Sequence, residues 1–337
     1  IRASWVDIDG EGLESICVFV SRKYVYPSWP VIRLDSKGSP HIVWIQHGDT
    51  YETRLATPHY LKWDGSEWVD ADGQGQESIA VHAANTNIQY ARFILDNADK
   101  PHIVFADHIE YMSETEEIYH LEWNGSSWIN TFDVRAQANT LIFGFAIDSP
   151  DNGHLIFNTC YKSSPPGISY YKWDGISWVD ISDRLSKFFE KVGAAYPNGW
   201  NIWLDSFGNP HILLEGIVKQ WGKDEEFGIF YFKWNGSEWV DADGQGLESV
   251  YIPYSSSTLS LVVGTLEPPI SVFFLDSSET PHVAWISYDM DIYYAKWNGS
   301  EWVDADGVGL DPLNVSFPSD NFGSISLSID VWGNPHL

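Results

Sequence analysis

The sequence predicts an all-β fold, a six-bladed β-propeller in which each blade is a four-stranded antiparallel sheet. Three observations lead to this prediction. Two short cassettes alternate along the 337 residues, their period is roughly 60 residues, and Trp, Tyr and Phe together make up 15% of the chain. Aromatic residues favour strands and bury a large area each, and a repeat of this length accommodates four strands with generous loops.

The first cassette reads Leu-Asp-x-x-x-x-Pro-His and is followed by an apolar run. Its six copies, some with Ile for Leu and one with Gly for Pro, begin at Leu34, Leu95, Ile147, Leu204, Leu275 and Ile329. Asp and Gly favour tight turns, in which Gly supplies a positive φ. Each copy therefore predicts a hairpin between the first and second strands of a blade.

The second cassette reads Lys-Trp-Asn-Gly-Ser-Glu-Trp-Val, with small variations. It occurs at residues 62–69, 122–129, 172–179, 233–240 and 296–303, and a partial copy opens the chain at Ser4–Val6. Asn-Gly between aromatic residues is typical of a two-residue hairpin with a type I′ turn. This cassette therefore predicts the third and fourth strands of a blade.

These units predict a single domain that spans residues 1–337. The predicted blades cover residues 14–70, 77–130, 134–180, 190–241, 248–304, and 311–337 together with 1–7. The last blade is thus shared between the two termini, and it lacks a Lys-Trp-Asn-Gly strand, so we expect the natural chain to continue beyond Leu337. The only helical periodicity predicts one short helix near Asp183–Val192.

The alternating cassettes resemble the broad class of repeat β-propellers of microbial surface and secreted proteins, which includes sialidase-like and lectin-like rings. The Asp-Ser-x-Gly turns are similar to the Asp-box hairpins of sialidase-type propellers, with Pro-His where those carry Trp. The resemblance covers essentially the whole chain. It implies the fold only, because propellers host hydrolases, lectins and scaffolds alike.

The charge balance of 47 acidic against 19 basic residues gives a formal net charge of −28. Nucleic acids and anionic membranes require a basic face, so the composition argues against both as partners. No run of about 18 apolar residues occurs, which argues against membrane insertion. Together with the resemblance, the acidic composition leads us to expect an extracellular or cell-surface protein. The sequence does not predict the oligomeric state.

An acidic repeat, Asp-x-Asp-Gly-x-Gly-x-Glu/Asp, suggests a calcium site. Closely spaced carboxylates on a Gly-bent loop supply several of the six to eight oxygens that Ca²⁺ prefers. The candidate ligands are Asp7, Asp9, Glu14, Asp70, Asp72, Glu77, Asp241, Asp243, Glu248, Asp304, Asp306 and Asp311. The alternative is that these segments are acidic turns between blades, without a metal. No other cofactor is expected.

Residues that recur in every blade are expected to build the blades, whereas a binding site breaks the repeat. By this criterion the six cassette His residues and the Trp pairs are structural. The connections between the second and third strands, and between successive blades, vary in sequence and share one face of the ring, so we expect recognition there. The candidate ligand-binding residues are Tyr26, Trp29, His47, Tyr51, Tyr111, Trp200, Trp221, Tyr288 and Asp289, with Arg33 and Arg92 on the predicted inner strands.

The sequence contains no fingerprint of a serine hydrolase, metalloprotease or nucleotide-binding enzyme, and no residue is assigned as catalytic. Exposed aromatic residues among carboxylates suit a carbohydrate ligand. We therefore expect a non-catalytic recognition or structural propeller that binds a glycan or a protein surface through the variable face. The alternative is a glycoside hydrolase or lyase with its active site at the central channel on that face, since such enzymes need only two carboxylates.

Overall fold

The computed structural model describes most of the chain in separate stretches. These are residues 26–47, 56–74, 87–108, 115–137, 142–148, 152–158, 168–174, 176–182, 185, 194–218, 226–246, 251–252, 271–286, 292–310, 327–330 and 332–337. The chain divides into two compact units, Ile1–Ile142 and Phe143–Leu337, and each is described by itself. The single-domain prediction stays a prediction. Within the described stretches, no helix is long and apolar enough to cross a membrane.

The first unit contains two four-stranded sheets. The first sheet consists of β1 (Tyr26–Leu34), β2 (Pro40–His47), β3 (Ala56–Trp63) and β4 (Trp68–Val69). The second consists of β5 (Asn87–Leu95), β6 (Pro101–His108), β7 (Thr115–Trp123) and β8 (Trp128–Gln137). Both are antiparallel meanders in which the strands pair in chain order.

The second unit contains three further meanders and a two-stranded sheet. Its strands are β9 (Ile142–Ile147, which begins at the unit boundary), β10 (Gly153–Asn158), β11 (Ile168–Trp173) and β12 (Trp178–Asp180); β13 (Ala194–Leu204), β14 (Pro210–Val218), β15 (Glu226–Trp234), β16 (Trp239–Val240) and β17 (Tyr251–Ile252); β18 (Ser271–Leu275), β19 (Pro281–Ile286), β20 (Ile292–Trp297) and β21 (Trp302–Val303); and β22 (Ser328–Ile329) and β23 (Pro335–His336). The described part of the chain thus forms five sheets of at least four strands and one partial sheet.

This composition confirms the predicted all-β class and its six repeated antiparallel sheets. Two details differ from the predicted blade bounds. Strand β8 extends to Gln137, because it lacks the acidic turn that ends β4, β16 and β21, and the Asn130 side chain accepts the amides of His120 and Phe132 at a bulge. Strand β17, predicted within the fifth blade, instead pairs with β15 beside β16. Leu185 lies within the predicted helix and is helical, as is Ser182 just before it, while the rest of Asp183–Val192, like residues 1–7, lies outside the described residues.

The turns between first and second strands, and between third and fourth strands, lie at one end of each sheet, which we call the turn end. The opposite end, where the longer connections begin, is the loop end. Gly38, Gly208 and Gly333 have positive φ in the first-cassette turns, as predicted, but Asp99 and Glu279 occupy the same conformation in two others, with φ of 61° and 62°.

The predicted type I′ hairpin is wrong. Trp63 pairs with Trp68, so four residues rather than two form the loop. In this loop Gly65 has a positive φ, and the Asp64 carboxylate accepts the amides of Ser66 and Glu67. The cassette therefore requires Asn or Asp after its first Trp because the side-chain oxygen accepts the hydrogen bonds that close the loop.

A buried chain of polar side chains recurs near the turn end and explains the cassette His residues. In the fourth sheet, His211 is 3% exposed, its Nδ1 lies 2.6 Å from the Tyr231 hydroxyl, and its Nε2 lies 3.8 Å from the Asp205 carboxylate. Because a carboxylate can only accept, the ring proton belongs on Nε2 and the Tyr hydroxyl donates to Nδ1. The same His–Tyr contact joins His41 to Tyr60, His154 to Tyr170 and His282 to Tyr294.

The Trp pairs and the same Tyr residues connect neighbouring sheets inside each unit. Trp63 and Trp68 meet edge to face at 5.9 Å. Tyr60 contacts Phe93 and Trp128 of the next sheet at 6.1 and 5.4 Å. In the second unit, Tyr231 contacts Phe273 at 5.6 Å and Trp302 at 5.4 Å in the same way. The structural interpretation of the His and Trp repeats agrees with these contacts.

Candidate functional site

The loop end is where the described sheets stop resembling one another. In the first sheet, Trp44 on β2 stacks on His59 on β3, with ring centroids 5.3 Å apart and planes at 19°. His59 Nε2 lies 3.0 Å from the Thr57 hydroxyl, and Gln46 is the register partner of Thr57. His47 follows at the end of β2, half-buried, and burial lowers the pKa of its imidazole. This end therefore offers an amide, a hydroxyl and two imidazoles beside a buried indole.

The second sheet has acidic groups at the corresponding place. Phe105 stacks on Tyr119 at 5.2 Å, and the Tyr119 hydroxyl donates a hydrogen bond of 2.6 Å to the Glu117 carboxylate. Glu117 is the direct register partner of Asp107, which is only 2% exposed. Direct partners in an antiparallel pair have Cβ atoms about 4.5–5.5 Å apart, so the two acidic side chains leave the sheet side by side. Both residues also have further interactions.

The second unit repeats the stacked pair with other polar neighbours. Phe157 stacks on Tyr171 at 5.7 Å, and Trp285 stacks on Tyr293 at 5.3 Å. Burial and the nearby, hydrogen-bonded Asp180 carboxylate raise the pKa of the Tyr171 hydroxyl. The rings support the loop end, because Trp285 is 1% and Phe157 also 1% exposed, and the polar groups distinguish one sheet from the next.

The predicted ligand-binding residues are only partly within reach of this description. His47, predicted in the connection between the second and third strands, is instead the last residue of β2, at its loop end. Tyr26 and Trp29 lie on β1 and Trp200 lies on β13, where only the backbone is described. The others lie outside the described residues, namely Tyr51, Tyr111, Trp221, Tyr288 and Asp289.

Arg33 and Arg92 lie on the first strands of adjacent sheets, as predicted. The Arg33 guanidinium donates to the backbone carbonyl of Ile32 at 2.9 Å and is exposed. Arg92 is half-buried and has interactions of its own. The structure does not bring the two side chains into a described contact.

Three of the acidic loops begin within the described residues. Asp70 accepts the amides of Asp72 and Gln74, and both burial and the adjacent Asp72 raise the pKa of the Asp70 carboxyl. Two neighbouring carboxyl groups of this kind are a situation that a divalent cation relieves. However, Lys62 Nζ already donates to the Ala71 carbonyl in this loop at 3.2 Å.

In the other two loops, Asp241 and Asp304 accept the amides of Asp243 and Asp306, which in turn accept the amides of Gln245 and Val308. The described residues contain no group of three or more His, Cys, Asp or Glu side chains placed to hold a metal. Asp7, Asp9, Glu14, Glu77, Glu248 and Asp311 lie outside the described residues. Calcium binding stays a prediction.

Sequence reasoning missed Asp107, Glu117, Thr57 and His59. A signal for them exists, because the cassette His is always opposite the residue that precedes the first Trp of the second cassette, as His102 is opposite Glu122. Counting outward from this pair along the two strands places Asp107 opposite Glu117. The same count places Trp44 opposite His59 in the first sheet.

No family model matches the sequence, and no curated protein matches it. Similar solved structures include an α-L-arabinanase from Penicillium chrysogenum complexed with arabinobiose. It is 10% identical over 82% of this chain and 80% of its own, with a TM-score of 0.49. A fucose-recognising lectin from Aleuria aurantia, described as a six-bladed β-propeller, is 14% identical over 83% of this chain and 77% of its own, with a TM-score of 0.45.

A family PL25 polysaccharide lyase, an ulvan lyase bound to a glucuronate–rhamnose sulfate ligand, is 12% identical over 84% of this chain and 68% of its own, with a TM-score of 0.46. Likenesses at this level carry no argument about the ligand of this chain. The resemblance to repeat β-propellers is confirmed by the sheets themselves.

Proposed function

We propose that this protein is a non-catalytic recognition module that binds a glycan through the loop end of its sheets. The observation that supports the proposal is the contrast between the two ends of each sheet. Near the turn end, the Asp–His–Tyr chain recurs with the same partners in four sheets. At the loop end, the first three sheets each carry a different set of polar groups beside their stacked rings.

A polyhydroxylated ligand suits these polar groups. Gln46, Thr57 and Glu117 together provide donors and acceptors on rigid strands, and strand-borne groups hold their geometry better than loop-borne ones. The net charge of −28 favours a neutral ligand over an acidic one. An extracellular or cell-surface location, where such glycans occur, is part of this proposal.

The test is binding of the labelled protein to an array of soluble oligosaccharides, followed by titration of the strongest ligand. Thr57→Val removes one hydroxyl at constant shape, and Glu117→Gln removes one charge, so each should weaken binding about tenfold, as expected for a lost polar contact of about 1.4 kcal/mol. Lys37→Ala, at the turn end of the same unit, is the matched control and should bind as the unchanged protein does. Equal affinities for all four proteins would place the site elsewhere.

Cleavage of a glycosidic bond is the second candidate, and one observation favours it. Asp107 and Glu117 form a pair of carboxyl groups on facing strands, and glycosidases use two carboxyl groups separated by about 5–9.5 Å. Recognition without cleavage is preferred because Asp107 is only 2% exposed, whereas a catalytic carboxyl must touch the substrate. Release of reducing ends or unsaturated sugars from a ligand found on the array, abolished by Glu117→Gln and retained by Lys37→Ala, would decide for the enzyme.

A further inference from the structure

Two aromatic side chains project into solvent from turns that otherwise belong to the repeated scaffold. Phe207, between β13 and β14, is 84% exposed, and Trp332, between β22 and β23, is 83% exposed. Both stand at the same position of the first cassette. The corresponding residues in three other turns are Lys37, Ala98 and Ser278, all small or polar and exposed. Neither ring is needed by the cassette, so the two rings break the repeat at the turn end of the second unit.

The two rings are held on separate turns of the same rigid type. Asp205 accepts the amides of Phe207 and Asn209 at 2.9 and 2.7 Å, and its second oxygen accepts the Asn209 side-chain amide at 2.9 Å. Asp330 accepts the amide of Trp332 at 2.9 Å, and both its oxygens are bonded by Asn334, at 2.8 and 2.9 Å. Because the backbone is already fixed, little conformational entropy is lost when a ligand covers either ring.

We propose that the turn end of the second unit binds a neutral polysaccharide, with Phe207 and Trp332 as two stacking platforms. A flat exposed ring beside hydrogen-bonding groups matches the apolar face and hydroxyl rim of one sugar ring. Two rings presented in the same way on one unit match a ligand that repeats the same sugar. This surface is separate from the loop end and does not depend on the function proposed for it.

The charges around the rings select the class of ligand. Asp205 and Asp330 lie at the base of the two turns, and Glu279 of the next turn bonds the Ser206 amide at 2.9 Å. This acidic surrounding, within a chain of net charge −28, disfavours acidic polysaccharides and anionic lipid surfaces.

The test uses sedimentation of the whole protein with insoluble amorphous cellulose, chitin and starch, measured as the fraction bound. Phe207→Ser and Trp332→Ser place at each tip the residue type that Ser278 has in the fifth sheet, so the turns should fold. We expect the unchanged protein to sediment with at least one polymer, each single variant to bind about tenfold more weakly, and the double variant to lose binding. Ser278→Ala is the control and should bind normally.

Absence of sedimentation with all three polymers, or equal sedimentation of the double variant, would overturn the proposal. The proposal would also be overturned, in favour of a lipid surface, by two results together. The unchanged protein, but not the double variant, would bind vesicles of a zwitterionic phospholipid, and the substitutions would leave polymer binding unaffected. Thr57→Val, run in parallel, distinguishes the loop end of the first unit from the turn end of the second. If it alone reduces polymer binding, the loop end holds the polymer and the stacking platforms are refuted.

Discussion

Acid should destabilise this protein through its buried imidazoles, and His211 is the site at which the effect can be isolated. Burial, with a further contribution from the positive charge of Lys233, lowers the pKa of His211 from 6.5 to about 4. The neutral ring is the form that the Tyr231 hydroxyl bonds. The perturbation is His211→Gln, because an amide can accept from Tyr231 and donate towards Asp205 but does not titrate.

The sign and size of the effect follow from the two pKa values. The unfolded chain takes up the proton near pH 6.5 and the folded chain only near pH 4, so stability falls as the pH drops between these values. The complete loss is about 3.4 kcal/mol, from a difference of about 2.5 pH units at 1.36 kcal/mol each. At pH 5 the loss is already about 2 kcal/mol relative to pH 7.5.

The assay is urea unfolding followed by Trp fluorescence at pH 7.5, 6.5, 5.5 and 5.0, for the unchanged protein and the variant. The variant should be less stable at pH 7.5, and its disadvantage should shrink by about 2 kcal/mol by pH 5, because it no longer releases a proton on folding. His336→Gln is the matched control, since the His336 side chain occupies the same cassette position but is 63% exposed. Parallel stability curves for the unchanged protein and His211→Gln across the pH range would refute the reasoning.

Three further predictions concern the packing of neighbouring sheets and the acidic loops. Asp99→Ala should destabilise the first unit by about 1 kcal/mol in urea unfolding, since it removes the bonds of 2.8 and 2.6 Å from the amide and hydroxyl of Ser36, and Asp99→Gly should lose less because φ is 61° there. Gly144→Ala should cost about 1–3 kcal/mol in the same assay, because a Cβ at this position would lie 2.7 Å from Ile202 Cγ2; a cost near zero would mean that the two strands separate easily. If Ca²⁺ binds the Asp70–Asp72 and Asp241–Asp243 pairs, EGTA should lower the melting temperature and added Ca²⁺ should restore it. An unchanged melting temperature would refute calcium binding.

The sheets were predictable from the sequence because their determinants are local. A turn Asp, a Gly with positive φ and a pair of Trp residues lie within a dozen residues of one another, and they define the register of each hairpin as they do for Trp63 and Trp68. What failed was the inference from Asn-Gly alone. Since Asp64 closes its loop as an acceptor, the side-chain oxygen, not a positive φ at that residue, is what the position requires.

The loop-end groups were harder to predict because they meet across strands that a longer connection separates. Asp107 and Glu117 are unremarkable singly in a chain with 47 acidic residues, and only the register between β6 and β7 makes them a pair. His59 was hidden for a related reason, since it lies within a strand, at the place where the second sheet has Tyr119, whereas recognition was expected in the connections. A search for departures from the repeat at strand positions, rather than in loops, would find both.

The two ends of the sheets differ in how freely a side chain can change, and this bears on where function can reside. At the loop end, Thr57 and Glu117 bond rings that stack on a buried neighbour, so only a replacement of the same shape leaves the packing there unchanged. At the turn end, Asp205 and Asp330 hold their turns whatever residue stands at the tip, and Phe207 and Trp332 therefore add exposed rings at little cost in folding. A scaffold that separates turn formation from tip identity can gain a second binding surface without disturbing the first.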